Sequence, residues 1–255
     1  MIKEIHCFGT SNTAGGGFEF FNEGIANTLK NFYTEEPYTQ FNYSWPGQLQ
    51  KLVEKNKIKV FNHAKAGYGN ERMYRITYDI VMNNQTDDKL FIYEFSSVGR
   101  KEYWSNSFNT HFIVNYGFEY DNKSNKEQPI LKGLAGTYGI DEYEYTMKLK
   151  SIIQPFISET MNFDIQDNLW KMNNEFFIDF LIGKNINFLI VSNPYYSNPS
   201  LINNKQILFP DGFEFLSHVD KNSLTIINET NGKITDYHPS LQAHKELALI
   251  IKNKI

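Results

Sequence analysis

Ile2-Lys3-Glu4-Ile5-His6-Cys7-Phe8 runs straight into Gly9-Thr10-Ser11-Asn12-Thr13. The first run reads as a buried strand, and Gly9 permits a tight turn directly after it. Outward from this stretch the chain alternates between two periodicities. Residues 46–53 open on Pro46, which suits the first turn of a short helix, and 58–61 form a second strand. Residues 71–82 read as an amphipathic helix, with Met73, Ile76 or Thr77, and Ile80 on one face. A third strand covers 89–95, a fourth covers 187–192 and ends at Asn193-Pro194, and 241–251 form a closing helix. Strands alternating with helices predict an α/β fold with a central parallel sheet and helices on both faces.

Residues 103–182 interrupt this rhythm. Residues 117–139 are polar and glycine-containing, which reads as a long loop. Two helical stretches follow, over 144–156 and 169–181, so the expectation is a partly helical insertion after the third strand. Its position makes it a candidate lid or pocket wall, because long loops in compact domains are often functional. Within the second helix, Leu169, Met172, Phe176 and Phe180 recur at helical spacing and are expected to pack into the core. No internal repeat or linker divides the chain, so 1–255 is read as a single domain.

Composition narrows the function classes. A chain of 255 residues with 41% hydrophobic and 21% charged residues has the balance of a globular protein with a sizeable core. The 21 Phe and 16 Tyr predict an aromatic-rich core. A net charge of −4, with lysines scattered, carries no electrostatic footprint for nucleic acid. The single cysteine, Cys7, excludes an intrachain disulfide and a cysteine-cluster zinc site, and reads as a small buried hydrophobe. Glu4 and His6 break any signal-peptide pattern, and no apolar run approaches the roughly 20 residues of a membrane span. No membrane partner and a cytoplasmic location are therefore expected.

In a parallel sheet, ligands gather at the carboxyl ends of the strands. Four segments leave strands there with polar residues: Gly9-Thr10-Ser11, residues 62–67, residues 96–100 and Asn193-Pro194. Near the other end stands Asp236-Tyr237-His238-Pro239-Ser240, just before the closing helix. A serine hydroxyl is inert until a base takes its proton, and Ser11 with His238 supplies both parts. A backbone N–H at Ser11 is one candidate oxyanion donor, a second is the N–H of Gly67, and Asn62 is placed to brace these loops through its side-chain amide. Competing motifs are missing. Gly15-Gly16-Gly17 lacks the Gly-Lys-Ser/Thr of a P-loop, Gly-x-Gly-x-x-Gly and His-Glu-x-x-His are absent, and Thr13 stands where a Gly-x-Ser-x-Gly elbow needs its second glycine. No cofactor and no metal are expected. His244 lies in line with Leu241, Leu247 or Ala248, and Ile251 as a packed helix residue, and His63 has no evident partner.

These segments together resemble the SGNH (GDSL-like) hydrolase family. Gly9-Thr10-Ser11 is similar to its first block, Gly-Asp-Ser. Asn62-His63-Ala64-Lys65-Ala66-Gly67 is similar to the second, where an Asn precedes the oxyanion glycine by five positions, and Asp236-Tyr237-His238-Pro239 is similar to the last. The resemblance spans nearly the whole chain. It implies a flavodoxin-like three-layer fold and metal-independent carboxylic ester hydrolysis by Ser11, His238 and Asp236. Three departures stand out. Thr10 replaces the family's Asp, Asp236 precedes His238 by two residues where the family has three, and Ser96-Ser97-Val98-Gly99-Arg100 lacks the third-block Asn. Losing one oxyanion donor costs roughly 3–4 kcal/mol in the transition state. Arg100, with five donors and a fixed charge, or a serine hydroxyl is a substitute; Arg100 reads equally as a cation for an acidic substrate or as the partner of Glu102.

The resulting expectation is a serine esterase acting on a small acyl ester, with a carbohydrate O-acetyl group as the favoured glycan substrate by analogy. Two alternatives stay open: an O-acyltransferase using the same acyl-enzyme, and a non-catalytic carbohydrate- or partner-binding module. The sequence sets no oligomeric state.

Overall fold

The computed structural model describes residues 1–15, 39–65, 68–96, 100–105, 110–115, 163–192, 206–209, 225–228, 232–235, 239 and 241–255. In chain order the main elements are β1 (Glu4–Phe8), α1 (Ser11–Ala14), α2 (Trp45–Val53), β2 (Lys59–Asn62), α3 (Asn70–Asn83) and β3 (Lys89–Tyr93). There follow β4 (Arg100–Ser105), β5 (Thr110–Asn115), α4 (Phe163–Gly183), β6 (Phe188–Ser192), β7 (Ile207–Phe209), β8 (Thr225–Asn228), β9 (Gly232–Thr235) and α5 (Leu241–Lys252).

Five strands make one sheet in the order β2-β1-β3-β6-β7, and every pairing in it is parallel. Numbered among themselves, these strands run 2-1-3-4-5, the order of flavodoxin-like doubly wound sheets. The strand alternation sorts side chains by chemistry. Ile5 and Cys7 of β1, Leu90 and Ile92 of β3, and Leu189 and Val191 of β6 share an aliphatic face. That face is covered by α2 through Trp45 and Leu49 and by α5 through Leu247 and Ile251. The alternate positions Phe8, Phe91, Tyr93 and Phe188 form an aromatic face, covered by α3 through Met73 and by α4 through Trp170, Phe177 and Ile178. Both faces of the central strands are buried, which is why they read as unbroken apolar runs. The expected parallel sheet with helices on both sides and the aromatic-rich core are both present. Cys7 is fully buried, which pushes its thiol well above the ordinary range.

Local sequence accounts for the helix starts. Ser44 caps α2 by accepting from the Gly47 N–H at 3.5 Å, and Pro46 lies in the first turn. Gly47 is required there because a Cβ would collide with the backbone carbonyl of Phe41. His244 is buried as expected, and its Nδ1 accepts from the Trp45 N–H at 2.9 Å, so α5 caps α2.

Several elements differ from the sequence reading. β7 joins the sheet as a fifth strand of only three residues, too short to show a pattern. β4 and β5 form an antiparallel pair that continues directly from the third-strand loop, and β8 and β9 form another. Part of the 103–182 region is thus hairpin and part is α4; the expected loop over 117–139 and helix over 144–156 lie outside the described residues. On α4 only Phe180 of the expected core stripe packs against the core, half-buried. Leu169, Met172 and Phe176 are exposed, Phe176 by 63%, whereas Trp170, Phe177, Ile178 and Leu181 are buried. Two apolar stripes compete on this helix, and the one matching the sheet's aromatic face is inside. Among the described residues, no helix is long and apolar enough to cross a membrane.

The two stripes are separable by substitution. Ile178→Ala is expected to cost about 2–5 kcal/mol, as for a fully buried aliphatic side chain. Phe176→Ser should stay within about 0.5 kcal/mol of wild type. Urea unfolding midpoints of the two variants check the assignment.

Candidate active site

Ser11 stands at the head of α1, directly beyond the carboxyl end of β1. The turn is short: Ala14 N–H donates to the Thr10 carbonyl at 2.9 Å, and Gly15, at φ 89°, closes it by donating to the Asn12 carbonyl at 3.3 Å. Only glycine takes that left-handed conformation freely. Thr10 provides no side-chain cap. A helix of four residues has no stability of its own, so the turn is held by its neighbours.

Three elements hold it. From the chain just past β3, the buried Glu94 accepts from Asn12 Nδ2 at 2.9 Å through Oε1, and from the Thr13 N–H at 3.1 Å and the Thr13 hydroxyl through Oε2. From the end of β2, Asn62 Nδ2 donates to the Thr13 carbonyl at 2.9 Å, while its Oδ1 accepts from the Ala64 N–H at 3.1 Å. From α2, the Trp45 indole N–H donates to the Thr13 hydroxyl at 3.1 Å. Asn62 thus ties the turn after β1 to the chain leaving β2. Gly9 is needed for close approach. A Cβ there would lie 2.7 Å from Glu94 Oε2 and against Thr13.

Arg100 sits at the start of β4, largely withdrawn from water, with its Nε buried and, among the described residues, without a hydrogen-bond partner. Burial lowers its pKa while the Glu94 carboxylate opposes that shift, and the guanidinium remains charged. Burial conversely raises the Glu94 carboxyl, with the Thr13 and Asn12 hydrogen bonds and Arg100 pulling it back down. The pairing of Arg100 with Glu102 does not occur. Arg75 instead engages both Glu102 oxygens at 3.2 Å. The backbone carbonyl of Arg100 crosses so close to Gly69 that a Cβ there would lie 2.5 Å away. Asn70 completes this junction: its Oδ1 accepts from the Ser96 N–H at 2.7 Å, and its amide donates to Asn174 Oδ1 at 3.0 Å. The loops after β2 and β3 are therefore clamped together.

His63 has a partner after all. Its Nε2 shares a hydrogen bond of 2.9 Å with His6 Nδ1, and His6 Nε2 lies 3.3 Å from Glu4, which also pairs with Lys89. The His63 ring stacks on Phe8 at 4.8 Å, and the His6 ring on Phe61 and Phe91 at 4.9 and 5.2 Å. Burial pushes the His63 pKa down to about 4, helped by the nearby charges of His6 and Arg72. Burial likewise lowers His6, against the opposing pull of Glu4.

Of the sequence-predicted site residues, Ser11 and Asn62 come together on one braced turn, and Arg100 joins them electrostatically through Glu94. Gly67, Asp236 and His238 lie outside the described residues. The helix that follows the Asp236–His238 segment is nonetheless tied to the Ser11 turn, because Trp45 joins His244 through its backbone and Thr13 through its indole. Among the described residues, no group of three or more His, Cys, Asp or Glu is arranged to hold a metal. No family model, curated protein or solved structure matches the chain.

Glu94, Thr13, Trp45 and Asn70 escaped the sequence reading. For Glu94 a signal existed: it is the one charged residue inside Leu90-Phe91-Ile92-Tyr93-Glu94-Phe95. A carboxylate in such a run is expensive unless something nearby satisfies it.

Two outcomes follow. Gly9→Ala forces the Glu94–Thr13 contact apart and is expected to destabilise the protein by about 1–3 kcal/mol, read as a lowered denaturant midpoint. The His6–His63 pair is favoured neutral in the folded state. Its contribution is complete above the ordinary imidazole value of 6.5 and is lost as pH falls towards about 4. Urea midpoints should decline between pH 7 and 4.5, and less steeply in His63→Gln.

Proposed function

We propose that the chain is a metal-independent serine ester hydrolase of SGNH-like, flavodoxin-type architecture. The observation that carries this reading is the bracing of the Ser11 turn. A polar turn at the carboxyl end of a central strand is fastened from three sides by Glu94, Asn62 and Trp45. Ordinary loop serines do not need such support, whereas a nucleophile does, since attack requires one fixed approach to the substrate.

In this reading His238 takes the proton from the Ser11 hydroxyl as its oxygen attacks the ester carbonyl. Asp236 holds the imidazole in the required tautomer and stabilises its charged form. The tetrahedral oxyanion is met by the N–H groups of Ser11 and Gly67, and Arg100 supplies the hydrogen-bond donor that the missing third-block Asn leaves unprovided. The alcohol departs with the proton from His238, and water, activated by the same histidine, releases the acyl group from Ser11. The substrate class is a small acyl ester, with a carbohydrate O-acetyl ester as the natural form.

The test is hydrolysis of p-nitrophenyl acetate by wild type, Ser11→Ala and His238→Ala, each verified as folded by circular dichroism. Turnover by wild type that falls about a thousandfold or more in both variants is expected. Equal rates in all three folded proteins would sink the assignment. Slow hydrolysis accelerated by an added sugar alcohol would redirect it to acyl transfer.

A further inference from the structure

We propose that Glu94 is the positioning residue of Ser11, its buried carboxylate holding the turn in the one conformation that presents the hydroxyl to substrate. The inference rests on Ser11 being the nucleophile and adds the residue that keeps it in place.

The geometry is specific. Glu94 is 7% exposed and uses both oxygens as acceptors. None of its three bonds uses the Ser11 hydroxyl. They go to Asn12 and to the backbone and side chain of Thr13, the two residues that follow Ser11. Thr13 is fully buried and is the meeting point of the braces, since Trp45 and Asn62 also bind it. Glu94 is the one brace that engages two residues of the turn, and so fixes its rotation as well as its place.

The choice of residue argues for a role beyond packing. The neighbours Tyr93 and Phe95 are buried aromatics, and an apolar residue at 94 would fill the same volume without the cost of burying a carboxylate. The chain instead accommodates the acid with three donors, with the Arg100 charge and with a glycine at position 9 that leaves it room. Groups of this kind control approach geometry: a displacement of about 1 Å in a reacting group costs about a hundredfold in rate.

The experiment compares wild type, Ser11→Ala, Glu94→Ala, Glu94→Gln and Thr13→Val. It measures kcat and KM on p-nitrophenyl acetate, the rate of Ser11 labelling by a fluorophosphonate, and thermal melting. With Glu94→Ala folded, kcat and the labelling rate should drop about a hundredfold while KM changes less than about threefold, within the range of uniform binding. Glu94→Gln should recover most of the loss, because its carbonyl still accepts from Thr13 and the Asn12 amide can turn to accept from its NH2. A purely structural residue would lower the melting temperature and leave kcat per folded molecule unchanged. That result in Glu94→Ala overturns the proposal. If Glu94→Ala does not fold, Thr13→Val decides: it removes the hydroxyl's bonds to both Glu94 and Trp45, and wild-type kcat in that folded variant overturns the proposal. If the wild type neither turns over ester nor is labelled at Ser11, the esterase reading fails separately. The clamp is then judged by hydrogen exchange of residues 11–15, where unchanged protection in the Glu94 variants overturns it.

Discussion

The parallel pairing of β1 with β2 on one side and β3 on the other is the constraint on which the site depends. The register sets Cys7 beside Asn62 and Phe8 beside Tyr93. Both ladders then run one step past the strands: His63 N–H donates to the Cys7 carbonyl at 2.8 Å, and Glu94 N–H to the Phe8 carbonyl at 2.9 Å. The chain leaving each outer strand is thereby delivered against the turn leaving the middle one. Asn62 and Glu94 reach Thr13 because the backbone has already brought them there. An antiparallel neighbour would have presented the opposite end of its strand, and its polar residues would have gathered at the other edge.

The same alternation distributes polarity between the faces. The aliphatic face takes α2 and α5 with little polar content beyond His244, whose Nδ1 caps α2. The aromatic face carries buried polar groups of its own. His6 lies flat between Phe61 and Phe91, where the ring surface packs as another aromatic would, while its nitrogens run edgewise to His63 and Glu4. Deeper on this side, Asn70, Tyr74 and Asn174 bond to one another between α3 and α4. A planar polar ring fits a stack of aromatics if its edge finds partners, and here the edge points along the sheet towards β2.

Much of the fold was legible because its signals are local. Apolar runs buried on both faces, a proline in a first helical turn and a periodic α3 each announce themselves within a dozen residues. Of the candidate site, the sequence points to polar residues at or just past a strand end, as with Ser11 and Asn62. What was missed depends on contacts distant in the chain. Glu94 and Thr13 are 81 positions apart, and Trp45 and His244 are 199 apart. The α4 stripe failed for a related reason. Periodicity shows that Leu169, Met172 and Phe176 share a face, but the sheet chooses which face is buried, and it selected Trp170, Phe177 and Ile178. One of the alternatives open for Arg100, a pair with its sequence neighbour Glu102, is set aside because β4 carries Glu102 to Arg75.

The double use of Trp45 has a consequence for how the chain acquires its shape during synthesis. Its indole reaches back to the turn at Thr13, and its backbone waits for His244. A nascent chain can close the pairing of β1 with β2 and β3 early, but the Trp45 N–H lacks its His244 acceptor and part of the aliphatic face stays wet until α5 leaves the ribosome. Contacts this distant are slow to close, so the seating of α2 against α5 is a late event of folding, whereas the braces of the Ser11 turn all come from residues within the first 94. A ribosome-bound intermediate would expose Ile5, Cys7, Leu90 and Ile92, the surface a chaperone would have to shield.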